Sequence, residues 1–530
     1  MFERLKKAVK GLILDASART GIGRKFKNIF ELGGVPAFEQ FYTFGIFPWK
    51  MIYRGYYEPW HRIAAPSIAK PNNIRKIEPS CIAKAVCAEL AGLCWSEECA
   101  VVVSQGEGEN QPLNAFVQDI LRKNNFWTKM QEHLEQVFAL GGGALKVWYE
   151  QPRDREGNPI PGRECMRIGY CMADQFVPTA WDNARVTEGV FISREAKNGF
   201  YYTRLEWHKW DGLTYWITNE LYRAEQGENA GNQDILGIRV PLAEIYPLLN
   251  EETTLEGLDE SLFTYYRPAA ANNLDDNSPL GVSIYANAMS TLHALDVCYD
   301  SFVREFRLGR KRIIVPAQAV RTVVDPETGE PLRYFDDTDE AYEALATDDP
   351  ESLKIQDNTI SLRVEEHVAA INAFLSILCL QLGFSAGTFT FDRAQGLRTA
   401  TEVISENSKT FKTVRGQQSQ LRTAIERLVD AIIRVGALYD VQYDGYSIRT
   451  LAAQDYERKV TFDDSILQDR QTNINEGILL TGNGLMSKKR FLVETLGMTE
   501  AEADAELAAI RAESPVGGAA VDFLNVGGAE

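Results

Sequence analysis

The sequence lacks the motifs on which many enzymes depend. No G-x-x-x-x-G-K-[ST] run is present, which excludes a P-loop for nucleotide phosphates. No H-E-x-x-H run occurs, and the five histidines do not pair at metal-ligand spacing. The eight cysteines form no C-x₂-C pair, so we expect buried free thiols in a reducing compartment rather than a disulfide framework. We therefore expect no catalytic residue, no metal and no cofactor.

Long apolar runs and an excess of basic charge are also missing. The most apolar helical pattern, 368–380, is about 13 residues long, whereas a bilayer span needs about 20. The apolar run at 11–14 stops at Asp15 and is too short for a signal peptide. The formal net charge is −18, and phosphate binding needs lysine and arginine. We expect a soluble protein of several sub-domains that can surround DNA without gripping it.

One stretch does match a reaction motif. Residues 383–387 read G-F-S-A-G, the G-x-S-x-G of a nucleophile elbow. That motif requires a strand before the serine and a histidine later in the chain. Here a helical pattern precedes Ser385, and the last histidine, His367, lies upstream. A hydrolase is therefore a remote alternative.

Apolar periodicity predicts three long helices in the second half. One extends from 398 to 440 without an internal proline and opens with a capping box at Thr399 and Glu402. Roughly 40 residues extend about 60 Å, so this helix must join distant parts of the molecule or pack against copies of itself. The other two cover 283–308 and 362–383. The last two repeat apolar positions at Ile284, Ala288, Leu292, Leu295, Tyr299, Phe302 and Phe306, and at Val364, Val368, Ile371, Leu375, Leu378 and Leu382.

The first half differs in pattern and composition. Helical patterns at 79–95 and 111–139 precede two-residue alternation from 145 to 222, and Asp211-Gly212 predicts a hairpin. All nine tryptophans occur at or before Trp216, so we expect a β-rich part with an aromatic core. The aromatic segment 40–62 suits packing against a partner. Residues 1–30 are basic, and we expect a solvated amphipathic arm there, with a binding tail as the alternative.

Two connections between the long helices stand out. The segment 309–361 predicts short strands and a hairpin, and its residues 336–351 hold eight acidic residues and no basic one. No D-x-D-x-D-G run makes a calcium loop there, so we expect a solvated acidic face. The loop 384–397 is longer than the 2–8 residues usual between helices and is rich in glycine, threonine and phenylalanine.

In combination, these features resemble bacteriophage portal proteins of tailed phages of Gram-positive hosts. The resemblance covers about 30–510, and its stretches are specific in sum rather than singly. They are Ser278–Ala288, Tyr299–Arg307, Lys311–Pro316 and Arg398–Asn407.

The resemblance implies a helix-rich α+β protomer with a β-rich wing, a two-helix stem, a small α/β clip, a long wing helix and a helical crown. The implied divisions are a basic arm at 1–30, the first part of the wing at 31–280, a stem helix at 281–308, the clip at 309–361, a stem helix at 362–383, a tunnel loop at 384–397, the long wing helix and link at 398–464, the crown at 465–513 and a disordered tail at 514–530.

It also implies the function and the partners. Portal proteins form a ring, usually of twelve subunits, at one capsid vertex of the virion, after assembly in the host cytoplasm. Double-stranded DNA passes through the channel without sequence specificity during packaging and ejection. The other partners would be the terminase motor, head-completion or adaptor proteins, and the scaffolding and major capsid proteins, with no membrane. A capsid or tail structural protein without a DNA channel is the alternative.

Three groups of residues would carry these contacts. The tunnel loop would meet DNA, although Phe389 and Phe391 can instead pack beneath a neighbour's long helix. A basic cluster at the end of helix 281–308 would touch the DNA backbone or pair with acidic residues of a neighbour, since the helix dipole accounts for only one or two of its five cations. The clip would dock partners. These residues are Thr388, Phe389, Thr390, Phe391, Asp392 and Arg393 in the loop; Arg304, Arg307, Arg310, Lys311 and Arg312 in the cluster; and Asp325, Glu327, Thr328, Glu330, Asp336, Asp337, Asp339 and Glu340 in the clip.

Overall fold

The structure is a computed structural model that mixes helices and sheets, in agreement with the expected α+β class. At 313–314, 321–324, 331–334, 356–357 and 400–408 it describes the backbone without the side chains. The described residues are 41–65, 73–105, 111–151, 165–183, 185–225, 236–309, 313–314, 321–324, 329, 331–334, 356–357, 361–385, 387–389, 400–463, 477–495 and 500–513.

The N-terminal part is mainly helical. Its pattern at 111–139 forms two helices rather than one, because Asn125 takes a left-handed φ of 50° between them. Gly141, which takes a left-handed φ of 84°, ends the second helix. The elements are a π-helical turn Tyr42–Ile46, α1 (Phe47–Tyr53), α2 (Glu58–His61), β1 (Arg62–Ala64), β2 (Ile74–Lys76), α3 (Ile82–Cys94), β3 (Ala100–Ser104), α4 (Pro112–Lys123) and α5 (Phe126–Leu140).

The aromatic segment at the start packs within its own chain. Phe41, Tyr42 and Trp49 are buried, and the Tyr285 hydroxyl donates to the Trp49 carbonyl at 2.9 Å. The expectation that this segment serves a partner is therefore wrong for its buried residues. Phe44 and Phe47 keep accessible rings, with 78% and 53% of their surface exposed.

Two antiparallel sheets occupy the middle of the first half. The larger has the order β10-β9-β8-β7-β6, with β11 also paired to β9, and the smaller has the order β12-β4-β5. The predicted hairpin is present, and Asp211 pairs with Thr214 across a two-residue turn in which Gly212 has φ of 62°. The strands are β4 (Gly143–Glu150), β5 (Cys165–Met172), β6 (Phe176–Asp182), β7 (Arg185–Lys197), β8 (Phe200–Asp211), β9 (Thr214–Glu225), β10 (Ile238–Val240), β11 (Glu252–Leu255) and β12 (Phe263–Tyr266), with 3₁₀ turns at Ala173–Gln175, Leu242–Glu244 and Ala286–Ala288.

Two helices and four short strands follow. The helices, which we call the helix pair, begin later than the sequence predicts, since Ile284 precedes the 3₁₀ turn and the first helix starts at Met289. The strands pair as β13 with β16 and β14 with β15, the latter forming the hairpin expected near 323–334. These elements are α6 (Met289–Leu308), β13 (Ile313–Ile314), β14 (Arg321–Val324), β15 (Pro331–Tyr334), β16 (Gln356–Asp357) and α7 (Val364–Leu382).

The long helix of 39 residues is present, and its second half lies inside the protein. Ile425, Leu428 and Ile432 of the predicted stripe are buried, but so are Val429 and Ile433 on other sides of the helix. It packs against α3, α4, β4, β12 and β19. This half therefore joins elements that are far apart in the sequence, in agreement with the first expectation, whereas packing on copies stays a prediction. The remaining elements are α8 (Ala400–Leu438), β17 (Gln442–Tyr443), β18 (Tyr446–Ser447), α9 (Ile448–Ala452), β19 (Glu457–Thr461), helical residues 477–482, α10 (Lys488–Glu494) and α11 (Glu500–Glu513).

The sheets, α1 to α5 and the second half of α8 share one hydrophobic core, and we call this part the body. Gly436 shows how tight the contact is, because a Cβ there would lie 2.9 Å from Ile448 and 3.0 Å from Phe116. All eight cysteines are free, and Cys87, Cys94, Cys99 and Cys379 are buried as expected, whereas Cys81 is exposed and Cys165, Cys171 and Cys298 are partly exposed.

Candidate functional site

The helix pair is held together at its far end by ionic contacts. Arg363 Nη2 lies 2.9 Å from Glu305 Oε2, and Arg363 Nε donates to Glu305 Oε1 at 3.1 Å. These hydrogen bonds lower the pKa of the Glu305 carboxyl to about 2. The rings of Phe302 and His367 lie 5.4 Å apart beside them. Apolar contact and a two-pronged ion pair therefore fix α7 against α6.

Two buried carboxylates attach α6 to the body. Asp296 is bound by His61 Nε2 at 3.0 Å and by the Ser80 N–H and hydroxyl at 2.7 and 2.6 Å. Asp300 lies 2.7 Å from Arg75 Nη1 and accepts from the Glu78 N–H at 3.2 Å. Periodicity gave no sign of this role, because a pair of acidic residues four apart on a helix usually faces water.

Large apolar side chains are exposed along both helices of the helix pair. Eight large apolar side chains along α6, α7 and their flanks expose between 37% and 69% of their surface. Tyr299 and Phe306 belong to the stripe that the sequence predicts as buried, and they are exposed within one chain. The eight residues are Val297, Tyr299, Phe306, Leu308, Leu362, Val364, Ile377 and Leu380.

The basic cluster is described only in part. Arg304 is exposed and forms no ion pair with any residue that the structure describes. Arg307 Nη2 lies 3.4 Å from Glu78 Oε1 of the same chain, and both side chains are largely exposed. Arg310, Lys311 and Arg312 lie outside the described residues, so their contact with DNA or a neighbour stays a prediction.

The loop after α7 starts from a fixed point. The Phe384 N–H donates to the Cys379 carbonyl at 2.8 Å, and the Phe384 ring is fully buried. Phe389 packs edge to face on it, with ring centroids 5.2 Å apart, and Thr388 Oγ1 donates to the Ser385 carbonyl at 2.8 Å. The remaining predicted loop residues lie outside the described part; they are Thr390, Phe391, Asp392 and Arg393.

Ser385 has a structural role where the elbow motif would make it a nucleophile. Its side chain is buried, its N–H donates to Thr410 Oγ1 at 2.8 Å, and its Oγ accepts from the Thr410 N–H at 3.3 Å. These bonds tie the loop to α8. The histidines have other neighbours: His61 binds Asp296, His133 binds Tyr266, His208 binds Tyr215, His293 stacks on Trp60, and His367 packs on Phe302.

The predicted docking residues of the clip cannot be placed. The structure gives the strand pairs around them, with Val324 opposite Pro331 and Ile313 opposite Asp357. The residues themselves lie outside the described part; they are Asp325, Glu327, Thr328, Glu330, Asp336, Asp337, Asp339 and Glu340.

The described residues contain neither a cluster of metal ligands nor a helix that could span a membrane. No group of three or more metal-ligating side chains comes together in the described part of the chain. Among the helices described, none has both the length and the hydropathy for a membrane span.

A long helix runs through the body, and two anchored helices carry exposed apolar side chains. Exposed apolar side chains on neighbouring helices are typical of proteins that associate with other chains. The particular family follows from comparison: the sequence matches the model "Phage portal protein, SPP1 Gp6-like" over residues 52–515. Because the match covers most of the chain, the protein belongs to the phage portal protein family. No curated protein matches the chain.

Family membership confirms the resemblance seen in the sequence. The family is structural rather than enzymatic, and membership implies a homo-oligomeric ring at a vertex of the virion capsid, with DNA and packaging proteins as general partners. The matched range is close to the 30–510 expected.

Proposed function

We propose that this chain is one protomer of a closed ring of about twelve copies whose central channel conducts DNA into and out of the capsid. The observation that carries the proposal is the set of exposed apolar side chains on the helix pair. Large exposed apolar side chains that lie on neighbouring helices are typical of surfaces that bind another protein. A face on one copy that meets a different face on the next generates a ring when the rotation closes.

In this ring the helix pair is the stem and lines the channel. Its anchoring to the body through Asp296 and Asp300 supports a rigid wall, since buried ionic contacts fix a helix in one position. The neighbouring copy covers the exposed side chains near Ile377 and Leu380. The first part of the chain and α8 form the wing, and 465–513 form the crown.

The loop 384–397 is the tunnel loop of the proposed ring. Its start is fixed by Phe384 and Ser385, whereas Gly387 has φ of 81°, a conformation that permits wide backbone change in glycine. Phe389 already packs on Phe384 of its own chain, so residues beyond it reach furthest toward DNA. Asp392 is the charged residue whose sign we expect to control passage.

The net charge of the chain supports a channel that conducts DNA without binding it tightly. Each copy carries −18, and a ring multiplies this excess, so the wall as a whole repels phosphate and leaves no deep binding well. The exposed Arg304, repeated around the ring, is a local contact to the DNA backbone that reads no bases. The clip at 309–361 docks the terminase motor and later the head-completion proteins.

The ring is tested by native mass spectrometry and negative-stain electron microscopy of the purified protein. We expect closed rings with a central hole. Monomers or dimers at every salt concentration would contradict the proposal, and rings or sheets without a hole would favour a structural capsid or tail protein.

The loop and the clip are tested by replacement. Exchanging 388–393 for a Gly/Ser run should leave rings and empty capsids intact and lower the yield of DNA-filled heads. Asp392→Lys should make DNA passage sensitive to salt, because it adds a ring of cations. Deleting 317–350 should leave rings that fail to recruit the motor. Packaging equal to wild type by both loop variants, or normal motor binding by the deletion, would contradict the assignment concerned.

A further inference from the structure

A groove of about 430 Å³ lies between α8 and β19, away from the helix pair and the loop. Arg415, Ser419 and Arg422 are spaced four and three residues apart on α8, so they share one helix face. Lys459 and Thr461 alternate along β19 and point to one side of that strand. The helix and the strand thus both present cations and hydroxyl groups to the same groove.

The charge of this groove is opposite to that of the protein. Arg415, Arg422 and Lys459 line it, and no carboxylate does. Other arginines nearby are paired, Arg434 with Glu260 and Arg458 with Asp430. Among the residues that the structure describes, the three groove cations form no ion pair. In a chain of net charge −18, three unpaired cations in one groove call for an anion.

A buried amide provides a second, independent observation. Gln418 lies between Arg415 and Arg422 on the groove face of α8 and exposes only 5% of its surface. Among the described residues, none forms a hydrogen bond with its Nε2. An unpaired buried donor costs stability, so buried donors are nearly always satisfied. An acceptor oxygen in the groove would satisfy this one.

The floor of the groove favours phosphate groups over a peptide. Val460 and Phe462 lie beneath it and are already buried, and the Arg422 guanidinium lies 5.3 Å from the Phe462 ring centroid. Peptides and proteins gain most affinity by inserting aromatic or aliphatic anchors into pockets, and this floor offers no such pocket. Guanidinium groups, by contrast, match phosphate oxygens in pairs.

We propose that this groove binds the phosphate backbone of DNA, at a place distinct from the channel. Arg415 and Arg422 are about 10 Å apart along the helix, and a DNA strand presents one phosphate per roughly 3.4 Å of axis. The two arginines therefore reach different phosphates of one strand, and Gln418 donates to an oxygen between them. The phosphate chemistry rests on the groove alone, and the choice of DNA rests on the proposed function.

The test compares two double variants of the full-length protein. Arg415→Gln/Arg422→Gln removes two groove cations, and Arg54→Gln/Lys197→Gln removes two exposed cations outside the groove. Binding of a short fluorescein-labelled duplex is followed by anisotropy over a salt series. The groove variant should bind at least about tenfold more weakly, and its log K against log salt slope should be shallower by about two. The control variant should stay near wild type.

Gln418→Met provides a readout that a purely structural role would not move. Without ligand, this variant should unfold at the same temperature as wild type or higher, because an unpaired donor is gone. With pyrophosphate as the probe, its thermal stabilisation should be smaller than that of wild type. Pyrophosphate should also compete with the duplex for the wild-type protein.

Three results would overturn the site. One is duplex binding by the groove variant equal to that of the control. Another is a pyrophosphate shift unchanged by Gln418→Met. The third is loss of rings in the groove variant alone, which would make the groove a contact for an acidic segment of a neighbouring copy. If wild type forms no rings, the proposed function fails, whereas the pyrophosphate shift still decides the groove.

Discussion

The body and the helix pair differ in which residues they bury and which they expose. In the body, the sheets, α3 to α5 and the second half of α8 cover each other, and even Phe126, Phe138 and Phe176 are fully buried. In the helix pair, charged Asp296 and Asp300 are buried, whereas Leu308 and Leu380 are more than half exposed. The body covers most of its apolar residues within one chain, and in the proposed ring a neighbouring copy covers the exposed side chains of the helix pair. Stability and assembly are therefore encoded in different residues.

The largest effect is expected from charging the exposed apolar positions of the helix pair. Ile377→Asp/Leu380→Asp places two carboxylates where a neighbour must pack, and burying unpaired charge is prohibitive. Rings should be lost entirely, while circular dichroism and thermal unfolding of the single chain stay near wild type. Native mass spectrometry measures the loss. Leu213→Asp/Leu248→Asp, at exposed apolar positions outside the helix pair, is the control and should keep rings. Rings formed by the test variant would contradict the comparison.

A cavity in the body should cost most stability. Phe138→Ala removes a ring that is 1% exposed, and such truncations cost about 3–5 kcal/mol. Phe306→Ala, at a ring 47% exposed, should change the stability of the single chain little. Denaturant midpoints of dissociated protein measure both. Equal losses would mean that Phe306 is already covered within its own chain.

The body should also lose stability in mild acid. Burial lowers the pKa of His133 to about 4, while its ring contacts the Tyr266 hydroxyl at 2.9 Å and the Cys171 carbonyl at 3.0 Å. His133 of the unfolded chain therefore binds a proton near pH 6.5, whereas the folded chain binds it only near pH 4. The free energy of unfolding falls by about 3 kcal/mol as the pH drops from about 6.5 to 4.

His133→Gln should remove the part of the stability loss at low pH that His133 causes. The rest of the loss should persist, because burial also lowers the pKa of His208. Melting temperatures at pH 7 and pH 5 give the comparison. An unchanged difference between the two pH values in the variant would show that His133 is protonated in the folded protein.

The smallest effect is expected at the exposed ion pair of the helix pair. Arg363 holds the pKa of Glu305 near 2, so the pair contributes stability above the usual glutamate pKa, and this is lost as pH falls toward 2. Arg363→Gln should lower the melting temperature slightly at pH 7 and not at pH 2, because exposed pairs contribute little. Arg62→Gln, which breaks the exposed pair with Glu58 in the body, is the matched control.

The sequence pattern predicted the elements whose structure depends on residues close together in the chain. The long helices lie within a few residues of their expected ends, because an apolar repeat every three or four residues fixes a buried face. The Asp211-Gly212 hairpin follows from turn chemistry alone. The ring and the partners were predicted from the family resemblance, because the periodicity of apolar residues gives no information about them.

Contacts between distant residues were missed for a physical reason. Asp296 finds its partners His61 and Ser80 more than 200 positions earlier in the chain, and nothing around Asp296 in the sequence marks it as buried. The groove formed by Arg415 and Lys459 likewise needs a helix and a strand whose pairing only the fold decides. The break at Asn125 depends on one left-handed residue within an otherwise continuous pattern.

The two carboxylates that hold α6 also have a mechanical meaning. Asp296 and Asp300 are one turn apart, about 6 Å, in the middle of a helix of roughly 30 Å, and they bind His61, Arg75, Glu78 and Ser80. A helix that is bound at two successive turns resists both rotation and translation, because either movement separates a charge from its partner. A force applied near Leu308 is therefore passed through these contacts to the segments that hold the four partners.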